Sequence, residues 1–110
     1  MPIEVWLDER TEPQRRAAEA VLGVVRRYRG LIVEAVGVGV LIKRDRTVVE
    51  LRPKTKWLDL SFITRTAFAS KRIVRSLPCT PGYFQVVHLF DKADVDAEVR
   101  RWLSAALRRT

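Results

Sequence analysis

Few side chains in this sequence could carry out chemistry, and the only histidine is the first of them. His88 lies in an apolar run, residues 83–90, that is typical of a strand. An imidazole there can act as a general acid or base if a carboxylate orients it, or it can be a hydrogen-bonded structural residue. Asp59 would orient it only if their two strands were neighbours with both side chains on one face; otherwise Asp59 would pair with a nearby Lys or Arg. We favour the structural role and the ion pair, and assign no catalytic residue.

Three other features resemble functional motifs but have simpler explanations. Cys79 has cations nearby in the sequence, but it lacks a second thiol or a local base. Gly37-Val38-Gly39 lacks the third glycine and the following helix of a dinucleotide fingerprint, so we interpret it as strand glycine that lets another element approach closely. Acidic residues at the start of the last helix interact favourably with the helix dipole, so no bound metal is needed to explain them; they are Asp91, Asp94, Asp96 and Glu98. We therefore predict neither a metal nor a cofactor.

Positive charge is concentrated between residues 51 and 90. The chain carries a formal net charge of +8, and this segment holds seven cations against one acid, Asp59. A basic stripe of this kind favours an anionic partner such as nucleic acid or another polyanion. The candidate binding residues are Arg52, Lys54, Lys56, Arg65, Lys71, Arg72 and Arg75.

Aromatic side chains near the stripe could stack on bases. The candidates are Trp57, Phe68 and Tyr83. An alternative is that sixteen arginines against five lysines reflect the codon usage of a GC-rich genome, in which case surface cations need no partner. Three tryptophans are also more than a small core usually needs, which keeps open a protein-interaction surface or a homodimer.

Size and composition predict one domain, residues 1–110. With 47% hydrophobic and 31% charged residues, the chain lies in the globular range. A single cysteine excludes an intramolecular disulfide and a thiolate zinc cluster. The N-terminus lacks the pattern of a secretory signal, and no apolar stretch is long enough to span a bilayer. We expect a cytoplasmic protein without a membrane partner.

Two helices are predicted, one near each end of the chain. Thr11-Glu12-Pro13-Gln14 has the pattern of a capping box, and one apolar stripe follows it: Ala18, Val21, Leu22, Val25 and Tyr28. The last helix is predicted from Asp91, with the stripe Val95, Val99, Trp102, Leu103 and Ala106. The segment 3–7 is too short to classify and would be a turn, a short helix or an edge strand.

Between the helices the apolar period changes to two. It predicts a first strand that ends at residue 42 and whose start, from Leu31 onward, stays open, and further strands at residues 47–52, 56–62 and 83–90. Leu58, Leu60 and Phe62 are expected to face the core, and the last strand to be central in the sheet. Residues 64–82 have no long period, so they predict a long basic loop. The fold class expected is a two-layer α+β domain: helix, four-stranded antiparallel sheet, C-terminal helix.

The spelling of the later segments resembles a known family. The segments are residues 57–62, residues 82–88 and the closing Asp94-Val95-Asp96-Ala97-Glu98-Val99 helix. They are similar to the bacterial domain-of-unknown-function family 5655 over residues 36 to the C-terminus, and the opening helix is more distantly similar to YdhG-like small domains. The resemblance implies an intracellular bacterial protein of uncharacterised function. Members occur alone or attached to other domains, some nuclease-like, which favours nucleic acid by analogy.

The function expected from the sequence is therefore a small basic module that binds nucleic acid or another polyanion. The alternative is a protein-interaction or homo-oligomeric accessory module without catalytic activity. An enzyme ranks third, because no two candidate catalytic groups share a motif.

Overall fold

The structure is a computed structural model that describes residues 1–108. Over these residues the helices are α1 (Ile3–Asp8), α2 (Glu12–Val25) and α3 (Ala97–Leu107), with a 3₁₀ turn at Lys92–Asp94 ahead of α3. The strands are β1 (Ile32–Val36), β2 (Gly39–Lys43), β3 (Thr47–Pro53), β4 (Leu58–Thr64), β5 (Ile73–Pro78) and β6 (Tyr83–Leu89). None of these helices is long and apolar enough to cross a membrane.

The strands form one antiparallel sheet in the order β1-β2-β3-β4-β6-β5. The α+β class, the antiparallel sheet and the C-terminal helix are confirmed, but the predicted four strands are wrong, since the sheet has six. β6 lies between β4 and β5, which confirms its central position. Leu58, Leu60 and Phe62 are fully buried in the core, as their alternation predicted.

The first missing strand, β1, lies in the segment 31–42, where the sequence predicts a single strand with an open start. This segment contains β1, a two-residue turn at Gly37-Val38 and most of β2, which returns beside β1. Valine and glycine continue to alternate through the turn, so the period of two carries no mark of the reversal. Gly39 is the glycine that allows a close approach, because a Cβ there would lie 2.1 Å from the carbonyl oxygen of Leu51.

The second missing strand, β5, lies within the predicted loop 64–82. Within residues 1–108, β5 is an edge strand that pairs only with β6, and its register shifts between Ile73 and Arg75. Five of its six residues are exposed. An exposed edge with a bulge needs no regular apolar alternation, so the sequence pattern could not reveal it.

The helices begin where capping residues dictate. The Thr11 hydroxyl accepts a hydrogen bond from the backbone N–H of Gln14 at 3.3 Å, which confirms the capping box of α2. Segment 3–7, left open by the sequence, lies in the short helix α1. The last helix starts later than predicted: Asp91 caps the 3₁₀ turn, and Asp96 caps α3 by accepting from the Val99 amide at 3.1 Å.

The two faces of the sheet have different surroundings. Strand residues such as Val40, Leu51 and Val87 join the helices in one buried cluster. The opposite face, called here the outer face, carries the alternate residues of each strand, and no helix of residues 1–108 belongs to a core on that side. Its side chains include Glu50, Arg52, Asp59, Ser61, Ile63, Phe84, Val86 and His88.

Candidate nucleic-acid interface

His88 and Asp59 meet on the outer face. They are direct cross-strand partners on β6 and β4, with His88 Nε2 3.4 Å from Asp59 Oδ1. Trp57 Nε1 donates to the same oxygen at 2.9 Å, and its ring stacks on His88 at 4.6 Å between centroids. Lys54 Nζ lies 3.8 Å from Asp59 Oδ2. Asp59 is thus a neighbour of His88 and the ion-pair partner of Lys54. Within residues 1–108 no hydrogen bond links His88 to Asp59, so the orienting role stays a prediction.

This corner holds side chains in place but gathers few reactive groups. Among residues 1–108, no group of three or more His, Cys, Asp or Glu side chains could hold a metal ion. Cys79 is exposed in the β5–β6 connection, at the far end of the sheet from His88. The arrangement orients the Trp57 ring on the outer face, where Phe90 lies 5.8 Å from it.

The seven cations of the predicted stripe do not form one surface. Three are paired with acids: Arg52 with Glu50 at 3.4 Å, Lys54 with Asp59 and Arg72 with the start of α3. The other four are exposed and form no ion pair with an acid of the described chain; they are Lys56, Arg65, Lys71 and Arg75. Arg65 follows the last residue of β4, whereas Lys56 precedes its first, so these two lie at opposite ends of the sheet.

Arg72 ties the segment before β5 to α3. Its Nη1 lies 2.9 Å from Asp96 Oδ2 and 3.3 Å from Glu98 Oε1, and its Nη2 donates to the carbonyl of Asp94 at 2.8 Å. Partial burial disfavours the charge on Arg72, but the hydrogen bonds to Asp96 and Glu98 outweigh it, so its pKa is raised above its ordinary value. The contacts of this guanidinium therefore stabilise the fold, and its charge is compensated within it.

The predicted stacking residues are also separated. Trp57 lies on the outer face, but Phe68 packs toward the helices, 5.9 Å from Trp102 and 6.4 Å from Phe62. Tyr83 is the partner of the buried Thr64, which places it on the helix side at the other end of β4 from Trp57. Phe84 and Phe90, which the sequence did not single out, accompany Trp57 on the outer side.

A different set of arginines converges where β2 turns into β3. A pocket of about 220 Å³, called here the arginine pocket, is lined by Arg44, Asp45, Arg46, Val48, Ile63, Thr64, Arg65, Pro81, Ala105, Ala106 and Arg108. Its four arginines come from the β2–β3 turn, from the residue after β4 and from the end of α3. Within residues 1–108 none of the four has an acidic side chain within ion-pair distance.

Backbone carbonyls hold these arginines in position. Arg44 donates to the carbonyls of Leu107 at 2.7 Å and Arg29 at 3.0 Å, so it joins the end of α3 to the segment before β1. Arg46 Nη1 donates to the carbonyl of Thr80 at 3.1 Å. These neutral acceptors do not compensate the charge, and the four arginines outnumber the single lining acid, Asp45, so the pocket keeps a positive potential.

A larger groove adjoins the arginine pocket along α3. This groove of about 820 Å³, the α3 groove, is lined by Phe68, Ala69, Ala97, Glu98, Arg100, Arg101, Trp102, Ser104, Ala105 and Arg108. It shares Ala105 and Arg108 with the arginine pocket, so the two are contiguous. Arg101 and Arg108 lie seven residues apart on one face of the helix and continue the positive surface, and Arg100 borders the same groove.

The sequence shows the basic residues of the arginine pocket, but it does not show that they lie together. Basic residues cluster in the turn at 43–46 and near the C-terminus, outside the segment 51–90 that the charge balance singled out. Only the pairing of β2, β3 and β4 and the packing of α3 bring Arg44, Arg46, Arg65 and Arg108 together.

Comparison with family models, with curated proteins and with solved structures finds no match to this chain. The resemblance to the bacterial domain-of-unknown-function family 5655 stays a prediction. The function is therefore argued from the geometry of the described residues.

Proposed function

We propose that this protein binds nucleic acid or another polyanion through the arginine pocket and the α3 groove. The observation that carries the proposal is the convergence of four arginines, without acidic ion-pair partners among the described residues, on one concave end of the sheet. They come from three separate segments, so their meeting is a property of the fold.

Like charges held close together repel, and a bound anion would relieve that repulsion. Arginine is the cation best suited to phosphate, because its planar guanidinium presents several N–H groups that can contact two oxygens at once. Arg65 makes no side-chain hydrogen bond in the described chain, and Arg46 uses one donor only. Both have N–H groups directed to solvent or to a ligand.

The row of arginines along α3 favours an extended anion over a small one. Arg101 and Arg108 are seven residues apart, on the same side of the helix, and Arg108 also lines the arginine pocket. Phosphates repeat along a nucleic-acid strand, so several can be neutralised in succession. Such a ligand is found in the cytoplasm, where we infer that the protein acts.

Fluorescence anisotropy with labelled single-stranded DNA, duplex DNA and RNA at about 50 and 200 mM salt tests this function. We expect affinity to fall steeply with salt and Arg65→Gln to reduce the slope of log affinity against log salt by about 1. Lys56→Gln is the matched control, because it removes the same charge from an exposed residue at the other end of β4.

Equal losses in Arg65→Gln and Lys56→Gln would show that net charge, rather than the arginine pocket, determines binding. An absence of binding at low salt would contradict the proposal and would mean that the arginines reflect the composition of the chain rather than a binding site. Arg72→Glu is unsuitable as a reporter because it would break the pairing with Asp96 and Glu98.

A second candidate function, self-association, rests on the exposed edge at β1. Ile32 and Val33 on this strand are 60% and 39% exposed, and Val38 in the following turn is 59% exposed. α1 packs against β1 and exposes Val5. An edge strand with apolar side chains is a template for pairing with another chain.

A second copy of the chain is the partner that this edge matches. Antiparallel pairing about a two-fold axis at Val33 would set Val33 against its own copy and Ile32 against Glu34, which extends the apolar surface on the helix side. Centring the axis on Glu34 would instead oppose two carboxylates. We infer that the Val33-centred register is the favoured homodimer contact.

A further inference from the structure

A small pocket on the outer face lies next to the arginine pocket. It has a volume of about 120 Å³ and lies between β3, β4 and β6, with walls that include Val48, Glu50, Ser61, Ile63 and Phe84. Val48 and Ile63 also line the arginine pocket, so the two cavities are contiguous. We call it the sheet-face pocket.

The chemistry of the sheet-face pocket differs from that of the arginine pocket. Val48, Ile63 and the ring of Phe84 supply apolar walls, and Ser61 and Glu50 are cross-strand partners that supply polar groups. The Glu50 side chain is only 17% exposed. Arg52 Nη2 lies 3.4 Å from Glu50 Oε1, which leaves Oε2 to accept a hydrogen bond from an amino group. The pocket therefore suits a neutral, flat group that carries N–H donors.

We propose that the sheet-face pocket receives one base of a single-stranded nucleic acid whose phosphate lies in the arginine pocket. This proposal rests on the proposed function and names its substrate class. A base and its own phosphate are joined through a sugar, which matches an apolar pocket contiguous with a cationic one. Phe84 forms one wall, on which the base stacks.

The ligand is single-stranded because of where the pocket lies. A sheet surface can hold a base only when that base is unstacked and directed away from its neighbours, which a duplex does not allow without flipping. The phosphates that follow continue into the α3 groove, which is contiguous with the arginine pocket.

Glu50 makes the pocket selective. Cytosine presents an exocyclic amino group that a carboxylate can accept from, whereas thymine presents carbonyl oxygens around a single N–H. When the Glu50 carboxylate faces the carbonyl oxygens of thymine, all these groups are acceptors and none receives a hydrogen bond, which disfavours thymine. The pocket therefore prefers cytosine to thymine.

The experiment uses fluorescence anisotropy with labelled oligo(dC) and oligo(dT) of about eight nucleotides and a duplex of mixed sequence. We expect oligo(dC) to bind more tightly than oligo(dT) and than the duplex. Phe84→Ala should weaken oligo(dC) binding roughly tenfold and leave the duplex unchanged. Leu77→Ala is the control, since Leu77 is the cross-strand partner of Phe84 but lies outside the pocket.

Glu50→Gln is the second variant, and it keeps the test valid if Phe84→Ala fails to fold. It should abolish the preference for oligo(dC) over oligo(dT), which is a ratio of two affinities at one salt concentration and is therefore not altered by the Arg52 charge that this change leaves unpaired. Equal binding of the two oligonucleotides by the unmodified protein, or an unchanged affinity in Phe84→Ala, would overturn the base site. If Arg65→Gln still reduces the salt slope in that case, the arginine pocket stands, whereas an absence of binding to all probes overturns both.

Discussion

Arginine side chains in this protein have two kinds of surroundings. Arg16 and Arg72 contact acids from distant segments: Arg16 Nη2 lies 2.8 Å from Asp91 Oδ2, and Arg72 contacts Asp96. Arg46 and Arg65 line a pocket with no acid in ion-pair range among the described residues. The first kind stabilises the connection between helices and sheet, and the second kind makes the positive surface. Counting cations along the chain does not separate them.

The contact between Arg16 and Asp91 makes stability depend on pH. The Arg16 hydrogen bond and the backbone N–H of Lys92 lower the pKa of Asp91 from 3.8 to about 2. Because the folded state holds this proton less tightly than the unfolded state, the stabilisation is complete above pH 4 and is lost as pH falls through 2. Asp91→Asn should lower the melting temperature at neutral pH, and the difference from the unmodified protein should disappear toward pH 2.

Circular dichroism melts between pH 2 and pH 7 measure this effect. Glu4→Gln is the control, since Glu4 is an exposed acid without an ion pair in the described chain. A difference that stays constant over the whole range would contradict this prediction, because the Arg16 pair and the Lys92 N–H both favour the ionised form of Asp91.

The two edge strands of the sheet are protected to different degrees. β5 has a register shift, a cation at Arg75 and a proline at its end, all of which hinder pairing with another chain. β1 pairs with β2 over five regular positions and has none of these features. The features that protect β5 also removed its sequence signal, whereas β1 was missed because its hairpin turn continues the alternation.

The β1–β2 hairpin depends on Gly39, where the chain passes the backbone of β3. A methyl group at this position would lie 2.1 Å from the Leu51 carbonyl oxygen, so Gly39→Ala must displace backbone. We expect it to lower the free energy of unfolding by about 1–3 kcal/mol. Gly37→Ala, two residues earlier, is the matched control, because a Cβ there meets no atom within 4 Å.

Urea unfolding of the two variants measures this difference. A loss in Gly37→Ala equal to that in Gly39→Ala would show that flexibility of the turn, rather than the approach to Leu51, requires glycine.

The whole molecule has helices on one face of the sheet, and the outer face has no helix of residues 1–108 packed on it. The sheet-face pocket and the contact between His88 and Asp59 lie on the outer face, and the arginine pocket lies at the end of the sheet where that face meets α3. The exposed β1 edge is at the opposite side of the sheet from β5. Self-association through β1 would therefore leave β4 and β6 accessible, so a dimer and a nucleic-acid complex are compatible.

Val33→Lys tests the dimer contact at this scale. We expect the unmodified protein to show a mass that rises with concentration in sedimentation or light-scattering measurements, and Val33→Lys to remain a monomer, because a two-fold axis at Val33 would oppose two cations. Val74→Lys on β5, where Val74 is 53% exposed, is the control at the other edge. A monomer at all concentrations, or dissociation by Val74→Lys alone, would contradict a β1 contact.

Local patterns determined much of this protein from its sequence. The capping box of α2, the buried alternation of Leu58, Leu60 and Phe62, and the apolar stripe of α3 each depend on neighbours a few residues away. Such interactions act within one element, so spacing along the chain is enough to predict them.

The tertiary structure alone decided what lies on the surface. The number of strands, the pairing of Arg72 with α3 and the meeting of Arg44, Arg46, Arg65 and Arg108 depend on segments far apart in the chain. Coulomb interactions depend on distance in space, and solvent exposure depends on what packs above a residue. Neither quantity is encoded in local spacing, so the candidate site predicted from the charge of residues 51–90 was separated by the fold, and a new one was assembled at the end of the sheet.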